Sequence, residues 1–196
     1  MGSFVKNVLC LTIITLVAGV GLGAVYDVTK EPIRQMEENT KLKAYRAVFP
    51  DAAEFKEDDD LNEKAAVAGT IDGCDIDSVV IASDASGNDI GYVINVTTHE
   101  GYGGDISISM GADNSGTVRG VEILKISETA GLGMKATEPK FKDQFKDKNV
   151  TMFSYTKSGA KSDFEIDAIS GATITTKAVV NAVNCGLSFL GSVRGD

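Results

Sequence analysis

The sequence has few of the residues that build metal centres. It contains one histidine, His99, and three cysteines: Cys10 lies in an apolar run, and Cys74 and Cys185 stand alone without Cys-x-x-Cys spacing. Zinc and iron–sulfur centres need sets of such ligands, so the sequence predicts neither kind of centre. We therefore interpret His99 as a surface or packing residue and assign no metal site.

Basic residues are also scarce. Lysine and arginine together number 19, against 28 aspartate and glutamate residues, which gives a formal net charge of −9. Because no basic stripe is present to neutralise phosphates, nucleic acid is excluded as a partner. The sequence also lacks a Gly-x-Gly-x-x-Gly fingerprint between a strand and a helix, and it lacks a Gly-Lys-Ser/Thr phosphate loop. It therefore contains no recognisable nicotinamide site.

Charged residues are absent from residues 8–26. The length of this run is close to the roughly 20 residues with which a helix crosses a bilayer. A secretory signal peptide is the rival interpretation, with residues 21–23 as a poor cleavage site, but a signal core is shorter, about 7 to 15 residues. We therefore predict an uncleaved, single-pass membrane anchor over residues 1–26.

The charges that flank this run do not define its orientation. Lys6 precedes it, and more basic residues follow it than precede it: Lys30, Arg34, Lys41 and Lys43. Positive charge concentrates on the cytoplasmic side of membrane spans. The charge count alone therefore does not place the following domain outside the cytoplasm.

The pattern of residues 27–50 predicts a juxtamembrane helix. Residues 29–32, Thr-Lys-Glu-Pro, are a plausible helix start, because proline is tolerated in the first turn. The apolar residues that follow form an imperfect helical stripe up to Pro50. We expect this helix to continue from the membrane span and to dock on the next domain, and a solvated juxtamembrane helix is the alternative. Residues 51–66 are acidic, and we expect them to form a loop with a solvated charge run at residues 58–60.

The sequence pattern in the middle of the chain is typical of strands and turns. Short β-rich runs occur at residues 79–81, 92–97, 106–110 and 118–126, with glycine- or asparagine-containing turns between them. This spacing is typical of an antiparallel meander. Helical patterns flank the runs, and residues 141–145 are a further candidate helix. We therefore predict an α+β fold, in which helices pack against one twisted antiparallel sheet.

A small turn precedes the last predicted helix. Residues 167–173 read Asp-Ala-Ile-Ser-Gly-Ala-Thr, and the apolar residues of 178–190 recur three and four apart, as on one helical face. Thr175 or Thr176 is the expected cap of this helix. Such a turn places backbone N–H groups where a phosphate can sit, and Thr173 offers a hydroxyl for an ester bond. An ordinary helix cap is the alternative interpretation of this turn.

The same seven residues resemble the flavinylation motif of the FMN-binding domain family. That family includes the G subunit of Rnf complexes and the C subunit of sodium-pumping NADH:quinone reductases. The resemblance implies that Thr173 carries covalent FMN through a phosphoester, which a separate flavin transferase installs. It also implies that Asp167 is the acidic motif position and that Ser170, Gly171 and Ala172 form the turn of the cofactor site.

Two glycine-rich loops are similar to the same family. Residues 101–104, Gly-Tyr-Gly-Gly, match its loop between two strands, and residues 128–133 are similar to its Glu-Thr-Pro-Gly-Leu-Gly signature. The resemblance implies that the following residues bind the flavin: Tyr102, Glu128, Thr129, Gly131 and Leu132. Two positions depart from the pattern. Ala130 replaces the usual proline, which loosens the loop, and Ile126 stands where many members have histidine.

The resemblance implies a function as well as a fold. We expect an FMN-binding domain over residues 51–196, on the outer side of the cell membrane. It would be one electron relay in an Rnf-type complex that couples electron transfer between ferredoxin and NAD⁺ to Na⁺ or H⁺ transport. The other complex subunits, the flavin transferase and membrane lipid are the implied partners. The alternatives are a membrane-anchored FMN-domain reductase outside Rnf and a binding module without flavin.

Overall fold

The computed structural model describes residues 2–68 and 72–194, and the chain divides into two compact units at residues 40 and 41. The helices are α1 (Gly2–Val48), α2 (Asp59–Ala68), α3 (Pro139–Lys142) and α4 (Thr173–Arg194). The strands are β1 (Glu54–Glu57), β2 (Cys74–Ser83), β3 (Asp89–Thr98), β4 (Ile106–Asp113), β5 (Val118–Lys125), β6 (Ser154–Thr156) and β7 (Glu165–Asp167). Two 3₁₀ segments, Gly133–Thr137 and Asp143–Phe145, flank α3.

Helix α1 contains an apolar stretch with the length and composition that a membrane span and a signal sequence share. Its large apolar side chains from Phe4 to Val28 are exposed. The candidate helix start at residues 29–32 was wrong, because α1 runs without a break through Pro32, which agrees with the expected continuation from the apolar run. Arg34 pairs with Glu31 at 2.6 Å and with Glu38 at 2.5 Å, and such pairs within one helix face offset part of the cost of an interior proline.

The predicted antiparallel meander is confirmed. Strands β1 to β5 form one sheet in chain order, and each strand pairs antiparallel with the next. The observed strands extend the predicted runs at residues 79–81 and 92–97 at each end. The sequence predicted neither the edge strand β1 nor the small parallel pair of β6 and β7. Strand pairs this short contain too few residues to show an alternating pattern.

Both faces of the sheet are covered. On one face, α4 packs over β3 and β4, and Ile94 and Val96 of β3 lie in the core beneath it. On the other face, Val93 packs with Val48 and Phe49 at the end of α1. Neighbouring residues of a strand point to opposite faces, which explains why Val93 and Ile94 belong to different cores. Within the domain, residues 41–48 of α1 therefore dock on the sheet.

A buried polar network joins the end of α1 to the sheet face that carries Val93. The Asn95 amide donates to the Tyr45 hydroxyl at 2.7 Å and to Ser78 Oγ at 2.8 Å. Its carbonyl oxygen accepts a hydrogen bond from Ser109 Oγ at 2.5 Å. Burial raises the pKa of Tyr45, so its phenol stays protonated. Asn95 thus joins α1 to three strands of the sheet.

Asn95→Ala should destabilise the fold by about 3 kcal/mol, because it leaves buried hydroxyl groups without partners. Denaturant unfolding of the full chain measures the change. Asn88→Ala is the control, because Asn88 is also an amide but lies in an exposed turn. Equal midpoints for the two variants would contradict a structural role for the network.

The expectation of a loop over residues 51–66 was wrong, because residues 54–57 form β1 and helix α2 begins at Asp59. Asp58 accepts a hydrogen bond from the Leu61 N–H at 2.8 Å and thereby caps α2. Asp59 and Asp60 lie in the first turn, where negative charge is favourable. Leu61 and Ala65 are buried one helical turn apart. The acidic run is therefore the start of a helix, and the sequence signal for it was the capping carboxylate.

The predicted helix over residues 141–145 is present in part. Helix α3 ends at Lys142, and a 3₁₀ segment continues from Asp143 to Phe145. Phe141, Phe145 and Phe153 are buried and form two edge-to-face contacts. The three rings belong to the core beneath α4, and the 3₁₀ segment that contains Phe145 packs against β5 and β7.

Candidate functional site

An open pocket of about 600 Å³ lies at the N-terminus of α4. Three separate segments form its wall: the loop between β3 and β4, the loop after β5, and the first turn of α4. Its lining residues are Tyr102, Glu128, Thr129, Leu132, Gly133, Gly171, Ala172, Thr173, Ile174 and Thr175. The structure therefore brings together seven of the residues that the three sequence motifs single out.

The turn before α4 is held by its own backbone. The Ala172 N–H donates to the Ile169 carbonyl at 2.9 Å, and Gly171 has a positive φ of 77°, which suits glycine. Helix α4 begins at Thr173, whose side chain is half-buried. The expected cap at Thr175 or Thr176 was wrong, because both residues lie inside the helix.

The hydroxyl of Thr176 does not cap the helix but bonds to the turn that precedes it. It accepts a hydrogen bond from the Ile169 N–H at 3.0 Å and donates to the Ala172 carbonyl at 2.9 Å. Thr176 thus ties the turn to the first turn of α4. This contact holds the wall of the pocket in place.

The helix end favours an anion in the pocket. The first backbone N–H groups of an α-helix have no acceptor within the helix, and the helix dipole adds partial positive charge there. Thr173, Ile174 and Thr175 form this first turn and all line the pocket. A phosphate group at this end would therefore meet backbone donors as well as the Thr173 hydroxyl.

Glu128 joins two of the loops. The residue is 9% exposed, and its carboxylate accepts a hydrogen bond from the Gly103 N–H at 3.2 Å. Gly133 lies so close that a Cβ there would be 2.6 Å from Glu128 Oε2 and 2.7 Å from Thr175 Oγ1. The glycine therefore lets the loop after β5 approach α4.

The rim of the pocket is apolar. Tyr102 is 72% exposed, Ile174 52% and Leu132 42%. Exposed apolar groups around a concave site are typical of ligand pockets, whose walls are mostly apolar with a few placed polar groups. The pocket thus combines an apolar mouth with a polar floor, to which the first turn of α4 contributes partial positive charge and Glu128 contributes a carboxylate.

Of the described residues that the motifs single out, Asp167, Ser170 and Gly131 lie outside this lining. The exposed Asp167 carboxylate accepts a hydrogen bond from the Ala160 N–H at 2.6 Å. The Asp167 backbone N–H donates to Gln144 Oε1 at 2.6 Å. Asp167 therefore fastens the preceding loop and does not face the pocket.

Sequence reasoning missed three lining residues: Gly133, Ile174 and Thr175. Gly133 is the last glycine of the loop after β5, and its role depends on contacts with α4 that are distant in sequence. Ile174 and Thr175 would have been found if the helix start had been set at Thr173. The signal for that start was the turn with Gly171 directly before it.

The only histidine of the sequence lies outside the pocket lining, between two carboxylates. His99 Nδ1 contacts Asp105 at 2.9 Å, and Nε2 contacts Asp75 at 3.0 Å. These hydrogen bonds, first that of Asp105 and then that of Asp75, raise the pKa of His99 from 6.5 to about 9. The imidazole is therefore protonated at neutral pH.

This pKa predicts a pH-dependent contribution to stability. Because the folded pKa is the higher one, the contribution is complete below about pH 6.5 and is lost as the pH rises through about 9. The side chain is 45% exposed, so solvent screening keeps the effect below about 1 kcal/mol. Unfolding of the full chain should show the stability difference between the native protein and His99→Gln shrinking over this range. A constant difference would contradict the charged pair.

Residues 101–188 match the FMN-binding domain family model. The fold is similar to that of the C subunit of the Na⁺-translocating NADH-quinone reductase from Parabacteroides distasonis. The TM-score is 0.52 and the identity 22%, over 70% of this chain and 75% of that one. The matched region defines the class: a protein that contains an FMN-binding domain over residues 101–188.

Relatives of similar length narrow the class. The chain is 31% identical to the G subunit of the ion-translocating oxidoreductase complex of Methanosarcina acetivorans, over 97% of this chain and 96% of the relative. It is 33% identical to the G subunit of the Na⁺-translocating ferredoxin:NAD⁺ oxidoreductase complex of Acetobacterium woodii, over 91% and 87% of the two chains. The chain belongs to the family of G subunits of ion-translocating oxidoreductase complexes.

Proposed function

We infer that this chain is the flavin-carrying member of a membrane complex that couples electron transfer between ferredoxin and NAD⁺ to the transport of Na⁺ or H⁺. The observation that carries the inference is the pocket at the start of α4, in a chain that aligns with nearly the whole length of a G subunit. The chain itself acts as an electron carrier and does not reduce NAD⁺ alone.

The pocket suits FMN in size and polarity. Its volume of about 600 Å³ lies within the range of roughly 300–1,000 Å³ that is typical of cofactor sites. The first turn of α4 offers backbone donors for a phosphate, while Tyr102, Leu132 and Ile174 offer apolar surface for a ring. When bound, FMN accepts and passes on electrons singly or in pairs. The protein residues bind and orient it.

We propose that the flavin is attached covalently at Thr173. Its hydroxyl lies on the first residue of α4, so an ester there holds the phosphate at the positive end of the helix. In the attachment step, the Thr173 oxygen attacks the FMN phosphorus of FAD, the pyrophosphate bond breaks, and AMP leaves. A flavin transferase supplies the metal and the base. The tether keeps the flavin from being lost by dilution.

We assign Asp167 a positioning role in this attachment. Its carboxylate holds Ala160, and its backbone is held by Gln144, so it fastens the loop before the attachment turn. Ser170 and Gly131 similarly shape the two loops that border the pocket. The transferase would then recognise a turn whose conformation Asp167 helps to set.

Asp167→Ala should therefore block flavin attachment, whereas Asp167→Asn, which retains an acceptor for the Ala160 N–H, should keep part of it. Intact mass of the full chain, co-expressed with a flavin transferase, measures the loaded fraction. Full flavin loading of Asp167→Ala would contradict the positioning role. Loss of flavin from both variants would show that attachment requires the negative charge of Asp167.

We propose that the FMN-binding domain, residues 51–196, lies outside the cytoplasm, with residues 1–26 as its lipid-embedded anchor and residues 27–50 as a connecting helix. The apolar side chains of α1 support the anchor, because a helix that is apolar on all sides suits lipid better than water. Covalent attachment suits such a location, where a dissociated flavin would be lost.

Co-purification from native membranes tests the proposed function. An affinity-tagged chain should elute with several other membrane proteins of one complex and with a flavin absorbance that reduced ferredoxin bleaches. Elution as a lone yellow protein would favour a membrane-anchored reductase outside such a complex. A colourless protein from cells that contain the transferase would overturn the flavin assignment itself.

A further inference from the structure

One charged side chain lines the pocket at the start of α4 without a charged partner. Glu128 is buried, and its Oε1 atom accepts the hydrogen bond from the Gly103 N–H. Among the residues that the structure describes, no lysine, arginine or histidine forms an ion pair with Glu128, and no donor forms a hydrogen bond with its Oε2 atom. The carboxylate is therefore enclosed by the protein but only partly satisfied by it.

Glycines allow two loops to approach this carboxylate closely. A Cβ at Gly101 would lie 3.1 Å from Glu128 Oε1, and a Cβ at Gly133 would lie 2.6 Å from Oε2. The loop between β3 and β4 and the loop after β5 therefore contact the carboxylate with backbone atoms, where larger residues would collide with it. The side of the carboxylate that remains open is the pocket that Glu128 lines.

A carboxylate in this environment is costly to the fold. An ionised carboxylate has about four lone-pair positions, and burying it without matching donors or a counter-charge is unfavourable. The first turn of α4 offsets part of this cost through its partial positive charge, because Thr175 Oγ1 lies 2.7 Å from the same Cβ position at Gly133. A buried charge is weak evidence for stability, whereas a few placed polar groups are typical of ligand pockets. We therefore expect Glu128 to act on what the pocket binds.

The size of the pocket places any bound ring within the field of this charge. If compact, a space of about 600 Å³ is roughly 8 Å across, which is no more than the distance over which physiological salt screens charges. Glu128 is also partly enclosed by protein, and such charges are screened less than exposed ones. A phosphate is repelled by the carboxylate and attracted by the helix end at Thr173. The uncharged flavin ring is therefore the part of FMN that can lie beside Glu128.

We propose that the Glu128 carboxylate lowers the reduction potential of the flavin bound in this pocket. The inference rests on the proposed function, because it requires FMN at this site. At mildly alkaline pH, reduction adds two electrons and one proton to the flavin ring, so the reduced ring has one more negative charge than the oxidised ring. A fixed negative charge nearby opposes this gain of charge. Glu128 therefore favours the oxidised flavin and makes the reduced flavin a stronger electron donor.

A lowered potential suits the proposed place of the chain in its complex. Ferredoxins are electron donors of low potential, and the NAD⁺ couple is also strongly reducing. A flavin that relays electrons between these two couples needs a low potential of its own. The protein can supply part of it with one carboxylate, because the hydrogen bonds and charges around a cofactor tune its electronics.

Redox potentiometry of the full chain, co-expressed with a flavin transferase, tests the proposal. Glu128→Gln removes the charge but keeps the shape of the side chain and a carbonyl acceptor for the Gly103 N–H. We expect this variant to shift the two-electron reduction equilibrium about a hundredfold toward the reduced flavin, which equals a rise of about 60 mV in potential. The absorbance of the flavin during titration with a reductant reports the potential, and no partner protein is needed.

Two further variants separate charge from packing. Glu128→Asp shortens the side chain but retains the negative charge, so its potential should stay much closer to that of the native protein than the potential of Glu128→Gln. Glu138→Gln removes one negative charge from an exposed side chain that is not among the described lining residues of the pocket and does not cap α3. Its potential should equal that of the native protein.

Three results would overturn the proposal and leave the flavin assignment intact. The first is an equal potential in the native protein and in Glu128→Gln. The second is an equal shift in Glu128→Gln and Glu128→Asp, because packing rather than charge would then set the potential. The third is loss of flavin from Glu128→Gln, because the carboxylate would then serve attachment. A native protein without flavin would overturn the proposed function and this inference together.

Discussion

Thr173→Ala should abolish covalently bound flavin and leave the fold nearly unchanged. Alanine removes the proposed ester oxygen but fits the first turn of α4, where Thr173 is only half-buried. A threonine at a helix start contributes about 1 kcal/mol, so the variant should remain folded. Intact mass of the full chain, co-expressed with a flavin transferase, should show an FMN phosphoester on the native protein and none on Thr173→Ala.

Two controls sharpen this result. Thr173→Ser keeps a hydroxyl at the same place and should retain part of the adduct. Thr151→Ala removes an exposed threonine that is not among the described lining residues of this pocket, and it should load like the native protein. An adduct that persists on Thr173→Ala would show that the flavin is attached to another residue. No adduct on any variant would leave the turn before α4 as an ordinary helix cap.

Much of the sheet was predictable because its signal is local. Each of the central strands carries its own β-rich run, and turns such as residues 85–88 and 113–116 separate them at hairpin spacing. Neighbouring strands then pair in chain order, which is the simplest connection. The apolar run at residues 8–26 was equally predictable, because composition and length alone define it.

Other elements depend on signals that short windows do not contain. Helix α2 begins in an acidic run, and its burial through Leu61 and Ala65 depends on packing against β2. The start of α4 was set too late, because threonine is a common cap and the bonds of Thr176 to Ile169 and Ala172 are a tertiary detail. In such cases packing decides between local alternatives of similar propensity.

The same difference between local signals and long-range contacts applies to the site. The motif around Thr173 and the loop from Glu128 to Gly133 could be recognised separately, because each is a contiguous stretch. Their meeting in one pocket could be inferred only through the family resemblance, since α3, β6 and β7 lie between them in the chain. Asp167 shows the limit of motif reasoning, because a residue of the motif fastens a neighbouring loop and does not line the pocket.

Gly133→Ala should damage the pocket more than any comparable change to a solvent-facing glycine. The added Cβ would lie 2.7 Å from Glu128 Cβ and 2.7 Å from Thr175 Oγ1, and both of those residues are buried. Overpacking of this kind costs about 1–3 kcal/mol, which lowers the melting temperature of a domain of this size by roughly 2–12 °C. Relief requires the loop after β5 to move away from α4, which opens the pocket and should reduce flavin loading strongly.

Gly191→Ala is the matched control for this prediction. Gly191 lies inside α4, and a Cβ there meets no described atom within 4 Å. Alanine should therefore raise stability by up to about 1 kcal/mol through helix propensity and leave flavin loading unchanged. Thermal unfolding and intact mass of both variants separate the two effects. If Gly133→Ala loads fully and melts like the native protein, the close approach of Glu128 to α4 does not shape the pocket, and the floor of the site must be formed by the first turn of α4 alone.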